Sequence, residues 1–236
     1  MFKKMAFVIV SAFILLASIP EAEAKQGGYI GMGPVFNSIG GDFNGNSALQ
    51  MDTEVIIVPK IDNGLGLDIR GGYGFTDAWA LELNLMVSDH DGKWGNRKMD
   101  VTFVSFSING KYSFFADTPT QPYLLFGISG NSLVIEDGAT DIYSGEIDDA
   151  SLSGPGLNFG FGIDHYVNPN MSLNMGFMYR VVDYTDADGV HHSASIDDEL
   201  NGNGFSFLLT AASVVVGALL VRSTWKCRGM AMHSSD

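Results

Sequence analysis

The sequence is poor in cysteine and in positive charge. Its one cysteine is Cys227, which excludes an internal disulfide and zinc sites built from several cysteines. Thirteen basic residues stand against 27 acidic ones, a net charge of −14. This balance argues against nucleic acid, which binds a basic stripe. No segment before residue 205 has the spacing of a helix, so we expect β-structure, and no motif suggests a cofactor.

The first 24 residues have the features of a secretory signal peptide. Lys3 and Lys4 form a positive start, Ala6 to Ser18 is an apolar core, and Ala22-Glu23-Ala24 is a small-residue cleavage site. We predict cleavage after Ala24. The alternative is a membrane anchor, but the apolar run is short for a spanning helix. Export then excludes a cytoplasmic role.

Between residues 65 and 88 the chain keeps two kinds of side chain largely at alternate positions. The odd positions are apolar: Leu65, Leu67, Ile69, Tyr73, Phe75, Trp79, Leu81, Leu83, Leu85 and Val87. The even positions are small, polar or charged: Gly66, Asp68, Arg70, Gly72, Gly74, Thr76, Glu82, Asn84 and Ser88. A period of two indicates β-strands whose faces differ. Charges at strand centres opposite an unbroken apolar face favour a barrel in lipid, apolar outside and polar inside.

The same pattern recurs along the chain and predicts eight strands. They are Tyr29 to Asn37, Leu65 to Phe75, Trp79 to His90, Met99 to Phe115, Pro122 to Ile135, Gly156 to Val167, Met171 to Asp183 and a strand from Gly204. Each is long enough for a tilted membrane crossing, which takes about 9–11 residues. Short connections alternate with longer ones, as in barrels with periplasmic turns and extracellular loops. A soluble sandwich or lipocalin-like barrel is the alternative.

The predicted fold is therefore all-β: an eight-stranded, antiparallel, up-and-down transmembrane β-barrel over residues 25–216. An interior of this size is just filled by side chains. The polar faces place six charged residues there: Asp68, Arg70, Glu82, Lys111, Asp164 and Arg180. Because buried charges are costly unless paired, we predict a neutral, salt-bridged network. Two interpretations stay open, a structural plug and a gated polar pore, and the strand number favours the plug.

The remaining negative charge falls in the predicted third and fourth loops. Those acids are Glu136, Asp137, Asp141, Glu146, Asp148 and Asp149, then Asp186, Asp188, Asp197, Asp198 and Glu199. They either bind divalent cations that bridge to lipopolysaccharide or simply form a solvated surface. His191-His192-Ser193 is the one hint of catalysis. It lies in a long Gly- and Asp-rich loop and not on a rigid strand near the lipid rim, so we expect no enzyme, with a lipid deacylase as the alternative.

Three motifs carry a family resemblance. Residues 74–82 (GFTDAWALE) resemble the first periplasmic hairpin of small outer-membrane β-barrels, which include the OmpA transmembrane domain, OmpW and the outer membrane protein beta-barrel family. Residues 121–127 (QPYLLFG) resemble the fifth strand of that family, and residues 160–164 and 170–173 resemble its sixth and seventh. The resemblance covers residues 27 to 216.

This resemblance implies an integral outer-membrane protein of a Gram-negative bacterium. It implies outer-membrane lipid, lipopolysaccharide and the barrel-assembly machinery as partners, and we expect a monomer. The implied roles are envelope integrity, surface interaction or a narrow conduit for small solutes; fold alone does not choose among them.

The C-terminus departs from the family, whose members usually end on an aromatic residue. Apolar residues continue from Phe205 through Val221, and Arg222, Lys226 and Arg228 follow. We interpret residues 217–236 as a disordered tail, either accidental or a genuine periplasmic appendage. A spanning helix is the third interpretation, but it would leave an open barrel edge in lipid.

Overall fold

The computed structural model describes residues 27–45, 47–51, 53–191 and 193–215. The predicted signal peptide and C-terminal tail lie outside the described residues. In chain order the strands are β1 (Gly27–Ile39), β2 (Ser47–Met51), β3 (Glu54–Val58), β4 (Lys60–Ile61), β5 (Gly64–Gly74), β6 (Trp79–Trp94), β7 (Arg97–Ser113), β8 (Thr120–Asp141), β9 (Ile147–Asn168), β10 (Met171–Asp188), β11 (Ser193–Asn201) and β12 (Gly204–Val215). A short 3₁₀ helix spans Gly41–Asn44. These residues include no helix with the length and apolarity that a membrane-spanning helix requires.

Eight of the strands form a closed ring. β1 pairs with β5, and pairing continues in chain order from β5 to β10. β12 pairs with both β10 and β1, and every pairing is antiparallel. The predicted eight-stranded up-and-down barrel is confirmed. A closed ring satisfies the backbone of every strand, which a sheet in lipid requires.

The alternation of the sequence becomes the two faces of the barrel wall. Apolar side chains point outward and stay exposed, among them Leu83, Phe126, Phe159, Met175 and Leu209. Their sequence neighbours point inward and are buried, such as Glu82, Asn158 and Asn174. So large an exposed apolar band on a folded protein is the surface that lipid covers.

The long connections contain more regular structure than the sequence predicts. β8 and β9 each have 22 residues, about twice what a crossing needs, so they project well beyond the band. The hairpin of β2 and β3 pairs with the upper part of β8, β4 pairs with β6, and β11 pairs with β10. We call this projecting part the outer end, and the end with the short turns the inner end. The expected loops are thus largely β-structure.

An apolar core fills the outer end. Its fully buried members come from the ring strands and from the added elements alike: Phe43, Ile56, Val58, Leu133, Ile135, Leu152 and Tyr184. We call these seven residues the apolar seal. The interior therefore becomes apolar towards the outer end, because the added elements bury their own apolar faces over the barrel mouth.

The seam where β1 meets β12 is locally interrupted. The pairs Met32–Ala211 and Val35–Leu208 are formed, but Gly33 and Pro34 between them make none with β12. Proline has no N–H to donate, and the Leu209 carbonyl oxygen lies so close that a Cβ on Gly33 would approach it to 1.9 Å. Glycine is needed here because two backbones approach each other closely.

Candidate functional site

Five of the six predicted interior charges form one chain of ion pairs across the barrel. Arg70 Nη2 lies 2.7 Å from Asp68, and Arg70 Nη1 lies 3.9 Å from Glu82. Lys111 Nζ continues the chain at 3.1 Å from Glu82 and 2.7 Å from Asp164. All five side chains are buried. We call them the ion-pair chain; they connect β5, β6, β7 and β9.

Neutral donors complete the coordination of each carboxylate. Tyr29 Oη donates to Glu82 at 2.6 Å, and Asn174 Nδ2 donates to Asp164 at 2.6 Å. Asp68 accepts hydrogen bonds from Asn84 and, at 3.3 Å, from Thr210. Because buried charges are tolerated when they are paired and hydrogen-bonded, this layer is stable only as a complete set.

Aromatic rings line the same layer. The alternation of polar and apolar residues in the sequence did not identify these rings. Lys111 Nζ lies 4.4 Å from the centre of the Tyr123 ring and 5.7 Å from that of Tyr29, within cation–π range. The ring of Tyr29 occupies the space in which Gly72 on β5 has no side chain. The sequence feature that could have indicated this contact is a large residue, Tyr29, paired with a glycine, Gly72, on the neighbouring strand.

A cluster of neutral residues adjoins the ion-pair chain. Asn158 Nδ2 donates to Asn109 at 3.1 Å, Asn109 donates to Ser107 at 3.1 Å, and Ser129 donates to Asn158 at 3.2 Å. All four are buried. The asparagines singled out in the sequence thus fall in two groups, since Asn84 and Asn174 bind the acids.

Arg180 lies apart from the other five charges. It stands six residues further along β10 than Asn174, about 20 Å at strand spacing. Its guanidinium packs 5.3 Å from the centre of the Phe103 ring, and Nη2 lies 3.4 Å from Met178 Sδ. Its buried Nε has no hydrogen-bond partner among the described residues. The alternation of the sequence predicted the correct face for Arg180, but Arg180 forms no ion pair with an acid among the described residues. The ion-pair chain therefore holds three acids and two bases, not the neutral balance that the sequence predicts.

The inner end contains a small open cavity. It measures about 50 Å³ and is lined by Tyr29, Glu82, Lys111, Asp164 and Tyr166, among others. A water molecule needs at least about 10–15 Å³ measured in this way, so the cavity holds a few waters. It ends at the ion-pair chain, whose side chains occupy the interior beyond it.

A serine and a histidine on the buried face of β6 are in contact. Ser88 Oγ lies 2.9 Å from His90 Nε2, and His90 Nδ1 lies 2.9 Å from the carbonyl oxygen of Asp62. Such a pair can activate a nucleophile, but Ser88 is only 1% exposed. Its position, two residues from His90 on the same strand, makes the contact local, and a substrate has no access to it.

His191, the histidine of the candidate catalytic loop, is held by acids. His191 Nε2 lies 3.3 Å from Glu146, and its backbone N–H donates to Glu54 at 2.7 Å. Both His191 and Ser193 are exposed. His192 lies outside the described residues. Groups of three or more residues suited to holding a metal ion do not occur in the described part of the chain.

The β8–β9 hairpin carries an ordered apolar tip. The carboxylate of Asp141 accepts hydrogen bonds from the backbone N–H groups of Tyr143 at 2.9 Å and Ser144 at 2.6 Å. The N–H of Ile142 donates to the Thr53 carbonyl at 2.8 Å. In this turn Tyr143 is 85% exposed and Ile142 is 52% exposed. The turn holds two large apolar side chains in water at the farthest point of the hairpin.

The comparisons with known proteins agree with this architecture. Residues 9–211 match the family described as "Outer membrane protein beta-barrel domain". The structure is similar to that of Neisserial surface protein A, with 15% identity and a TM-score of 0.50, covering 83% of this chain and 100% of that one. It is also similar to the outer membrane protein OprG from Pseudomonas aeruginosa, with 15% identity and a TM-score of 0.51, covering 82% and 98%.

A third similar structure is that of the outer membrane protein AlkL in lipid bilayers, with 16% identity and a TM-score of 0.50, covering 85% of this chain and 96% of that one. No curated protein matches the chain. At these identities the structural likeness concerns the fold alone.

Proposed function

This chain belongs to the outer membrane protein beta-barrel family and resides in the outer membrane, and from that premise we propose that it acts at the cell surface through its outer end. The barrel serves as a closed membrane anchor. The outer end, which faces the exterior in this family's orientation, carries the interaction surface. The observation that carries the proposal is the folded, projecting outer end with its exposed tip.

The interior supports a closed barrel. The ion-pair chain fills the inner half with five buried charges, each with a partner. The apolar seal fills the outer half with fully buried side chains. The small cavity at the inner end lies on the inner side of these two layers. An eight-stranded barrel is at the size where side chains just fill the interior.

The outer end supports an interaction role. The tip of the β8–β9 hairpin exposes Ile142, Tyr143 and Ile147, although apolar side chains in water are unfavourable. Exposed aromatic and aliphatic residues on an ordered support resemble the anchors found at protein interfaces. Asp141 fixes the turn, so binding would lose little conformational entropy.

A narrow conduit and a lipid-modifying enzyme are the alternatives. The conduit would use the inner cavity, and it requires the ion-pair chain to rearrange. The enzyme would use His191 and Ser193, with Glu146 beside the His191 ring, but both residues are exposed to water rather than placed in a buried site. We therefore propose a non-enzymatic role.

Cell adhesion tests the proposal. Cells of a strain without other adhesins would display the protein and be applied to a panel of immobilised purified proteins. We expect retention on at least one of them, and a loss of about tenfold when Ile142→Ser and Tyr143→Ser are combined, because an interface anchor is removed.

The matched control is Glu82→Gln, which changes the interior and leaves the tip unchanged. Its adhesion should equal that of the parent when surface amounts are equal. If no surface retains the cells and the purified protein conducts ions in planar bilayers, the proposed function is wrong and the conduit takes its place.

A further inference from the structure

The sheet at the outer end finishes on an edge strand, β2. Within the described residues β2 pairs with β3 alone, through all five of its residues. β3 pairs in turn with β8, so β2 is the last strand of a sheet continuous with the barrel wall. About half of the N–H and C=O groups of such a strand point away from its partner. These groups can pair with another chain.

β2 lacks the features that normally prevent such pairing. Its sequence, Ser-Ala-Leu-Gln-Met, contains no charged residue and no proline. Ser47, Ala48 and Gln50 are exposed, whereas Leu49 packs against the apolar core and anchors the strand. Edge strands are usually protected by charges, proline or bulges. β2 has only neutral side chains in its sequence, and its second edge pairs with no other described strand.

The other end of the same sheet offers a direct contrast. β11 pairs with β10 alone among the described residues. Its sequence contains Asp197, Asp198 and Glu199, whereas the sequence of β2 contains no charged residue. The sheet thus has one edge with charged residues and one without them.

Charge identifies the class of segment that fits β2. The outer end contains nineteen acidic and four basic residues, counted over four segments: residues 40–63, 89–100, 136–149 and 183–199. A second copy of this chain would bring the same excess of negative charge, and phosphate-rich lipopolysaccharide would be repelled as well. A basic segment would be attracted.

We propose that β2 binds an extended, positively charged segment of a protein outside the cell, which adds to the sheet as a further strand. Backbone hydrogen bonds would supply affinity and the acidic surroundings would supply preference for a basic partner. This inference rests on the proposed surface role, and it names the partner class and the place of contact.

A designed peptide tests strand addition directly. The probe is a fluorescent peptide of about ten residues with alternating valine and lysine, long enough to cover β2. It is titrated against the full-length protein in lipid nanodiscs, with fluorescence anisotropy as the measurement. The same peptide with alternate backbone nitrogens methylated lacks the donors of one edge, and it should bind at least about tenfold more weakly.

Two protein variants locate the contact. Ala48→Lys combined with Gln50→Lys places charges on the edge of β2, and we expect about tenfold weaker binding. Asn63→Lys combined with Asn96→Lys adds the same charge at exposed positions outside the strands. This second variant corrects for the weaker attraction of a less acidic surface and should bind nearly as the parent does.

The outcomes separate this inference from the proposed function. Equal loss in both lysine variants, or no effect of methylation, would mean general attraction to an acidic surface, and strand addition would be wrong. A dimer of the parent that Ala48→Lys/Gln50→Lys dissociates would mean that a second copy occupies the edge, which also overturns it. The adhesion that depends on Tyr143 would stand in either case.

Discussion

At the scale of the residue, the buried charges differ in how they are compensated. Glu82 has two cationic neighbours and a tyrosine donor, whereas Arg180 contacts an aromatic ring and a thioether. Breaking a buried pair leaves an uncompensated charge, while replacing a poorly paired charge by an apolar group removes a desolvation cost. The two sites should therefore respond in opposite ways to neutral substitution.

Glu82→Gln should lower the free energy of unfolding by about 1.5–3 kcal/mol, because Arg70 and Lys111 lose charge-assisted contacts with their shared partner while each keeps one carboxylate, Asp68 or Asp164. The measurement is urea unfolding in lipid, followed by the gel shift of heat-modifiable protein. Asp62→Asn is the control: it breaks the exposed pair of Asp62 with Lys93 and should have little effect. Equal effects of both substitutions would contradict the importance of burial.

Arg180→Met should leave stability unchanged or increase it, because methionine fits beside Phe103 and Met178 without a charge. Arg70→Met should lower the free energy of unfolding by about 3 kcal/mol or more, since the buried Asp68 then lacks its cationic partner, whereas Glu82 keeps Lys111. Both are read from the same unfolding assay. A comparable loss in the two variants would show that Arg180 is compensated as fully as Arg70.

At the scale of the element, the seam between β1 and β12 and the tip of the β8–β9 hairpin depend on single positions. The seam tolerates Pro34 because Gly33 lets the Leu209 carbonyl approach. The tip depends on one carboxylate that accepts several hydrogen bonds. Each element can be disturbed separately from the barrel interior.

Gly33→Ala should reduce the yield of folded, heat-modifiable protein, because the new methyl group meets a backbone carbonyl that cannot move far. Gly130→Ala is the matched control, since a Cβ at Gly130 on β8 meets nothing within 4 Å. Refolding yields are compared by gel shift. Equal yields would indicate that the seam adapts to the methyl group.

Acid should loosen the hairpin tip. Hydrogen bonds from Ser144 and Tyr143 lower the pKa of Asp141 below its ordinary value. The carboxylate therefore holds the turn at neutral pH, and its contribution is lost as the pH falls through that lowered pKa. Hydrogen exchange of residues 140–147, corrected for intrinsic rates, should increase on acidification. In Asp141→Ala the same residues should exchange fast already at neutral pH. In Glu136→Ala their exchange should be as slow as in the parent.

At the scale of the whole molecule, two layers of opposite chemistry occupy the barrel interior in series. The ion-pair chain lies nearer the inner end and the apolar seal lies at the outer end. An ion crossing the barrel would have to pass both. We expect either layer alone to keep conductance low.

Conductance in planar bilayers should test this arrangement. Arg70→Ala with Lys111→Ala opens the inner layer, and Phe43→Ala with Tyr184→Ala opens the outer one, where the two rings lie 5.4 Å apart. We expect neither double variant to conduct and the combined variant to leak. Folding of each is first checked by heat modifiability. A conducting Arg70/Lys111 variant would mean that the apolar seal does not close the barrel.

Strand number, strand order and face were accessible from the sequence because the period of two persists along each crossing. It places Glu82 and Asn84 inside and Leu81 and Leu83 outside. The additional strands could not be predicted from the sequence, because β2 and β3 have only five residues each and lie among glycines and acids. Short segments carry too few repeats for a period to be recognised.

The amino-acid sequence by itself determined a membrane barrel of eight strands and the face on which each charge lies, because side-chain direction in a strand follows from parity alone. Only the tertiary structure decided which charges meet. Register and height along the strands bring Asp68, Arg70, Glu82, Lys111 and Asp164 together and leave Arg180 beside Phe103. It likewise decided that the outer end folds into a sheet with an open edge, since pairing across long sequence separations is set by packing and not by local pattern.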